Sequence, residues 1–149
     1  MSIALESIGD RWSLLIVRDL MVRGKRTFKE FLESGEGIAS NILTDRLQSL
    51  ERAGIVAGEP EASDLRKINY RLTEKGIDLA PVILELLLWS AQHEKTGVPP
   101  ALMRQMKQQK QELLGEVRRR WAARDLTPLL PKFGRGKSGA GGFQKGVKG

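Results

Sequence analysis

Between Gly37 and Gly76 the apolar and polar positions change rhythm twice. Ile38, Leu43, Leu47 and Leu50 recur at helical spacing and predict one buried helix face. The opposite face carries Ser40, Asn41, Thr44, Asp45 and Gln48. These are short hydrogen-bonding side chains, unlike the Lys/Glu mixture that usually solvates a surface helix. Ala53-Gly54 stops this helix, because glycine readily takes the left-handed position after a helix end. Ile55-Val56-Ala57 and Ile68-Asn69-Tyr70-Arg71-Leu72 then read as strands around a polar, charged loop. A helix over 40–53 followed by a two-stranded wing predicts a winged helix-turn-helix, mainly α with a small β-wing. That fold places its polar helix in the DNA major groove.

The upstream pattern supplies the remaining helices. Ile3, Leu5 and Ile8 form an apolar N-terminal segment that Gly9 ends. Asp10 is placed to cap the next helix, whose apolar positions run from Trp12 through Leu14, Leu15, Ile16, Val17 and Leu20 to Met21. Lys25-Arg26-Thr27 is a short extended link suited to pair as a minor strand. Thr27 with Glu30 matches a capping box, ahead of a short helix that buries Phe28, Phe31 and Leu32. A tight glycine-containing turn joins it to the 40–53 helix, which completes a helix-turn-helix.

Downstream, Thr73 is placed to cap a long C-terminal dimerisation helix starting at Glu74. Between Val82 and Ala91 only Glu85 and Ser90 are polar. A helix apolar nearly all round must be covered on more than one side. The expected cover is a second subunit, across Ile83, Leu84, Leu87, Leu88 and Trp89 together with Ile3, Leu5 and Ile8. Pro81 should kink or break this helix. Residues 101–124 repeat a sparser stripe, Leu102, Met106, Leu113, Val117 and Trp121, which predicts a second long helix interrupted at Gly115. Residues 132–149 carry seven glycines, five basic residues and no acid, so they cannot bury a core alone. The expected units are therefore a winged-helix and dimerisation domain over 1–95, a helical extension over 96–131 and a basic Gly-rich tail over 132–149.

Charge changes the picture once it is located. The net charge is +7, yet residues 1–100 hold 13 Lys/Arg against 15 Asp/Glu. Residues 101–131 contribute +4 and residues 132–149 contribute +5. The basic balance therefore belongs to the C-terminal third and does not by itself mark the winged helix as a nucleic-acid binder. There is no cysteine and one histidine, His93. That removes most nucleophile–base pairs and the common zinc sites, so neither an enzyme nor a metal or cofactor is expected. No Gly-rich phosphate loop follows a strand. The apolar run 82–89 is too short to cross a bilayer. Glu6, Asp10 and Arg11 interrupt any signal-peptide pattern. A cytoplasmic protein with no membrane partner is the plain expectation.

A resemblance enters on the ordered set of motifs. Ile8-Gly9-Asp10-Arg11-Trp12-Ser13-Leu14-Leu15-Ile16-Val17-Arg18-Asp19-Leu20 is similar to the opening of the HxlR-type bacterial transcription regulators. Arg26-Thr27-Phe28, Asn41-Ile42-Leu43-Thr44-Asp45-Arg46-Leu47, Gly54-Ile55-Val56 and Tyr70-Arg71-Leu72-Thr73-Glu74-Lys75-Gly76 follow in that family's order and spacing. The match covers roughly residues 3–93. The resemblance implies a MarR-like winged helix acting as a homodimer on palindromic DNA. Some members sense redox through a cysteine near the N-terminus, a mechanism this cysteine-free sequence lacks. The resemblance also implies that a cavity can lie near the dimer helices, which leaves room for a small-molecule effector.

Within this frame the candidate base contacts are Ser40, Asn41, Thr44 and Gln48, which share one helical face. Asn and Gln can pair with the adenine edge, and Ser or Thr can reach bases or phosphates. Arg46 is offset from that face and suits a phosphate, as do Lys25, Arg26 and Lys29 at the start of the preceding helix. Arg66 and Lys67 occupy the wing, where a basic tip can enter the minor groove. The expected function is a sequence-specific, double-stranded-DNA-binding transcriptional regulator. Two other readings stand beside it: a protein-interaction winged helix without specific DNA binding, and a small-molecule sensor.

Overall fold

The computed structural model describes residues 1–129. Within them the order is α1 (Ser2–Ile8), α2 (Arg11–Val22), α3 (Phe28–Leu32), α4 (Ser40–Arg52), β1 (Val56–Glu61), β2 (Asp64–Leu72), α5 (Glu74–Ile77), α6 (Ala80–His93), α7 (Pro100–Gln108) and α8 (Lys110–Ala122). The expected glycine-rich tail lies outside the described residues.

Local signals in the sequence set the helix ends. The Asp10 carboxylate accepts from the Ser13 amide at 2.9 Å, so Asp10 caps α2. At α3 both halves of the capping box form: Thr27 Oγ1 accepts from the Glu30 amide, and Glu30 Oε2 accepts from the Thr27 amide at 2.9 Å. At the end of α4, Gly54 sits at φ +70°. The Ile55 amide donates to Leu50 O and the Gly54 amide to Glu51 O, both at 3.0 Å. This Schellman pair satisfies carbonyls the helix leaves open and turns the chain directly into β1.

The core is centred on Val17, Phe31, Leu43, Leu47 and Leu50, each at most 2% exposed. Ile55, Val56, Leu72 and Ile77 close it from the sheet side. β1 and β2 pair antiparallel with Val56 opposite Leu72 and Gly58 opposite Tyr70, and a register shift falls between Pro60 and Glu61. The link before α3 pairs as expected: Thr27 bridges Asn69, and the Tyr70 amide donates to Arg26 O at 2.7 Å. The strands are longer than the apolar residues predict. Backbone pairing carries them through the charged positions 58–67, where burial no longer marks the pattern.

Three expectations downstream are corrected. The single long helix predicted from Glu74 is two helices, α5 and α6; the division falls just before Pro81, the break expected at that proline, and Pro81 itself lies in the first turn of α6, where its missing N–H breaks no bond. The helix predicted over 101–124 breaks at Gln109, not at Gly115, which sits inside α8. Finally, Ile83, Leu84 and Leu88 are buried within the chain itself. They join a second sector of core in which α7 and α8 fold back against α6, through Leu102, Met106, Leu113 and Val117. The sparse stripe of the extension and the excess apolar surface of α6 cover each other.

α8 also reaches the wing. Trp121 Nε1 donates to Leu72 O at 2.8 Å, and the Arg71 guanidinium donates to Trp121 O at 2.6 Å while lying 4.6 Å over its ring. The Arg124 guanidinium makes a bidentate pair with Glu59 at 2.9 and 3.2 Å.

Candidate nucleic-acid interface

α4 buries Leu43, Leu47 and Leu50 and turns Ser40, Asn41, Thr44, Asp45 and Gln48 outward. Besides the pairing of Arg46 with Asp10, two contacts hold it in place. One is the hydrophobic seat on α2 and α3. The other is a charged network under the turn between α3 and α4. Asp19 is 2% exposed and accepts from Arg18 at 2.8 Å. Arg18 also donates to Glu36 at 3.0 Å, and Arg23 lies 3.4 Å from Asp19 and 3.7 Å from Glu36. Burial pulls the Arg23 pKa below its ordinary value, with Arg18 pushing the same way and Asp19 and Glu36 opposing. Glu36 is thus tied to α2 and fixes where the turn delivers α4. Pattern reading passed over this network, because Arg18-Asp19 looks like solvated charge until Glu36 is brought beside it.

The outward face is free to pair with something else. Among the described residues the Asn41 and Gln48 amides make no hydrogen bond, so all their donors and acceptors remain available. Thr44 Oγ1 donates back to Ser40 O at 3.0 Å and keeps its lone pairs. Ala39, not Ser40, takes the N-cap position, so the Ser40 hydroxyl is not used as a cap.

The candidate cations divide into groups. Arg46 pairs with Asp45 at 2.9 Å and with Asp10 at 3.5 Å, which ties α4 to the start of α2. Partial burial raises the Asp10 pKa, but hydrogen bonds from Ser13 and the Arg46 charge outweigh it, and the net shift is downward. In the wing Arg66 pairs with Asp64 at 3.2 Å and Lys67 with Glu61 at 3.1 Å. Lys29 is exposed, 3.9 Å from Glu33. Lys25 and Arg26 are half-buried and line a cleft of about 160 Å³ between the wing base and the segment after α8. The wing Lys67 and Arg26 both act on the Glu61 carboxyl and help hold its pKa below the ordinary value.

Of the residues expected at a subunit contact, Ile3 is 82% exposed, Leu5 56% and Trp89 59%. Leu87 and Ile8 are half-buried. Val82 and Leu86 are exposed as well, and with Trp89 they form one stripe along α6. The Trp89 ring lies 5.3 Å from His93.

Comparison with known proteins places this geometry. A family model described as HxlR-like helix-turn-helix matches residues 7–97. An uncharacterised HTH-type transcriptional regulator of Mycobacterium tuberculosis, Rv3095, is 37% identical over 102 residues, covering 68% of this chain and 63% of that protein. The chain therefore spans less than two thirds of that curated relative. Among solved structures, the putative transcription factor PA1607 is 40% identical with a TM-score of 0.56, covering 60% of this chain and 61% of that one. The redox regulator HypR in its oxidised form is 32% identical with a TM-score of 0.57, covering 62% of this chain and 95% of that one.

Proposed function

The chain belongs to the HxlR-like helix-turn-helix family, and from that premise we propose that it is a DNA-binding transcriptional regulator acting as a homodimer on a palindromic operator, in the cytoplasm. The observation that carries this reading is the outward face of α4, where Asn41 and Gln48 present unpaired amides on a rigidly seated helix. In the major groove Asn41 and Gln48 read base edges, with Ser40 and Thr44 beside them. Lys29 is the exposed phosphate contact, and Lys25 and Arg26 contribute from the cleft rim. Arg46 acts indirectly, by holding α4 on Asp10.

The exposed apolar stripe Val82, Leu86 and Trp89, with Ile3 and Leu5, is the proposed subunit contact. It is smaller than the whole apolar surface of α6, because the chain covers the other side itself. Paired recognition helices would then sit one helical turn apart, about 34–36 Å, on two half-sites.

The test is at single base pairs. Gln48→Ala should cost about 1–3 kcal/mol at one position of each half-site and leave the other positions unchanged. Operator variants bound identically by wild type and variant would remove Gln48 from base reading. The second reading, a protein-interaction winged helix, is favoured by the wing, where Arg66 and Lys67 each stand beside an acid that offsets their charge toward phosphate. Equal affinity for operator and scrambled DNA would select it.

A further inference from the structure

The cleft beside the wing has the composition of a ligand site. The C-terminal end of α2 supplies Leu20 and Met21 to its apolar wall, and the Tyr70 and Trp121 rings stand in it. Five cations line it against two carboxylates, Glu59 and Asp125. Most of this charge is already engaged. Arg124 is held by Glu59, Arg120 donates to Glu116 and to Thr127 O, and Arg71 is stacked on Trp121. Lys25 and Arg26 remain, with no carboxylate within 4.0 Å of either side chain among the described residues, though Lys25 acts at longer range on Glu30 and Arg26 on Glu61. Asn69 Oδ1, on the β2 wall, is sealed from solvent without a hydrogen-bond donor, a place that a water, not an anion, would complete.

The cleft is closed by a strap after α8. Gly24 is at φ +66°, and a Cβ there would fall 2.0 Å from Leu126 O. The Leu129 amide donates to Val22 O at 2.9 Å. Trp121 and the strap lie beyond residue 97, where the family match ends. Much of the wall is therefore supplied by the extension.

We propose that this cleft binds a small organic anion with a one-ring apolar body, held by Lys25 and Arg26 between the wing and the strap. Size sets the body: a cavity of about 150 Å³ accommodates a benzene ring. Charge sets the sign, because five cations line the cleft against two carboxylates, and Lys25 and Arg26 have no carboxylate within 4.0 Å. Such a ligand would occupy the cations that the proposed function assigns to DNA phosphates. Binding of ligand and of operator would then oppose each other, each weakening the other by the same factor. Only this regulatory consequence rests on the DNA-binding reading.

The experiment is calorimetric titration of the full chain, without DNA, using three probes of one shape: benzoate, neutral benzamide and cationic benzamidinium. Benzoate should saturate at one molecule per chain, benzamide should bind at least tenfold more weakly, and benzamidinium should give no saturable heat. The Lys25→Met/Arg26→Met double variant should lose at least tenfold for benzoate and no longer separate benzoate from benzamide. Absence of benzoate binding, equal binding of the three probes, or undiminished benzoate affinity in the variant would overturn the proposal. The probe series on the wild type stands even if the variant misfolds. A chain that binds benzoate but no operator would retain the site and refute the DNA reading alone.

Discussion

Asp19 has almost no water around it, and its carboxylate is held by Arg18 and Arg23, the two arginines that also hold Glu36 and with it the start of α4. Removing a buried ionic partner leaves the others desolvated and unpaired. Asp19→Asn should therefore destabilise the chain by about 3 kcal/mol, read as a lower urea midpoint with an unchanged denaturant slope. A loss within about 0.5 kcal/mol would mean the Arg18–Asp19–Glu36 network is held together without it. At this scale the sequence was partly legible. The Asp10 cap, the Thr27–Glu30 box, the Gly54 stop and the Thr73 cap were readable because each is a local rule with fixed spacing. Glu36 was not, because its partners lie 18 and 13 residues away on another helix. The pairing of Arg46 with Asp10 was missed for the same reason.

Among the elements, α8 behaves differently from its sequence impression. Its arginines suggest a loose basic extension, yet each is engaged: Arg118 with Asp78, Arg119 and Arg120 with Glu116, and Arg124 beyond it with Glu59. Hydrogen bonding from Arg119, aided by Arg120, holds the Glu116 carboxyl at about 2, down from its ordinary 4.5. A folded-state pKa below the unfolded one adds stability that is complete above the unfolded value and lost as pH falls toward the folded one. Glu116 therefore supports α8 fully above about pH 4.5 and progressively less down to about pH 2. Glu116→Gln should flatten the acid limb of the stability–pH curve in that window and lower the plateau at neutral pH. An unchanged acid limb would show that Glu116 is equally bonded in the unfolded chain. The α4 helix and its polar face were legible from periodicity alone. The fold-back of α7 and α8 was not, because a sparse stripe does not state which apolar surface it meets.

For the whole molecule, two sectors share one body: the helix-turn-helix with its wing, and the α6–α8 sector that buries Ile83, Leu84 and Leu88. A fragment ending at residue 100 would expose those three side chains, so binding belongs to the full chain. What stays exposed on α6 is the proposed subunit contact. Leu86→Asp with Trp89→Asp should convert the dimer to a monomer in sedimentation, with the unfolding transition of the monomer retained. A variant that sediments with wild type would place the contact elsewhere. Loss of the dimer should also cost operator affinity, because the two half-sites are then bound independently.

The most direct measurement is binding of the full chain to its own upstream DNA and to a scrambled duplex of equal length, at two salt concentrations. The account predicts that upstream DNA is preferred at both. It also predicts that affinity for each falls with salt as phosphate-bound counterions are released. Equal affinity for the two duplexes, falling together with salt, would contradict it and leave only nonspecific attraction to the basic charge of the chain.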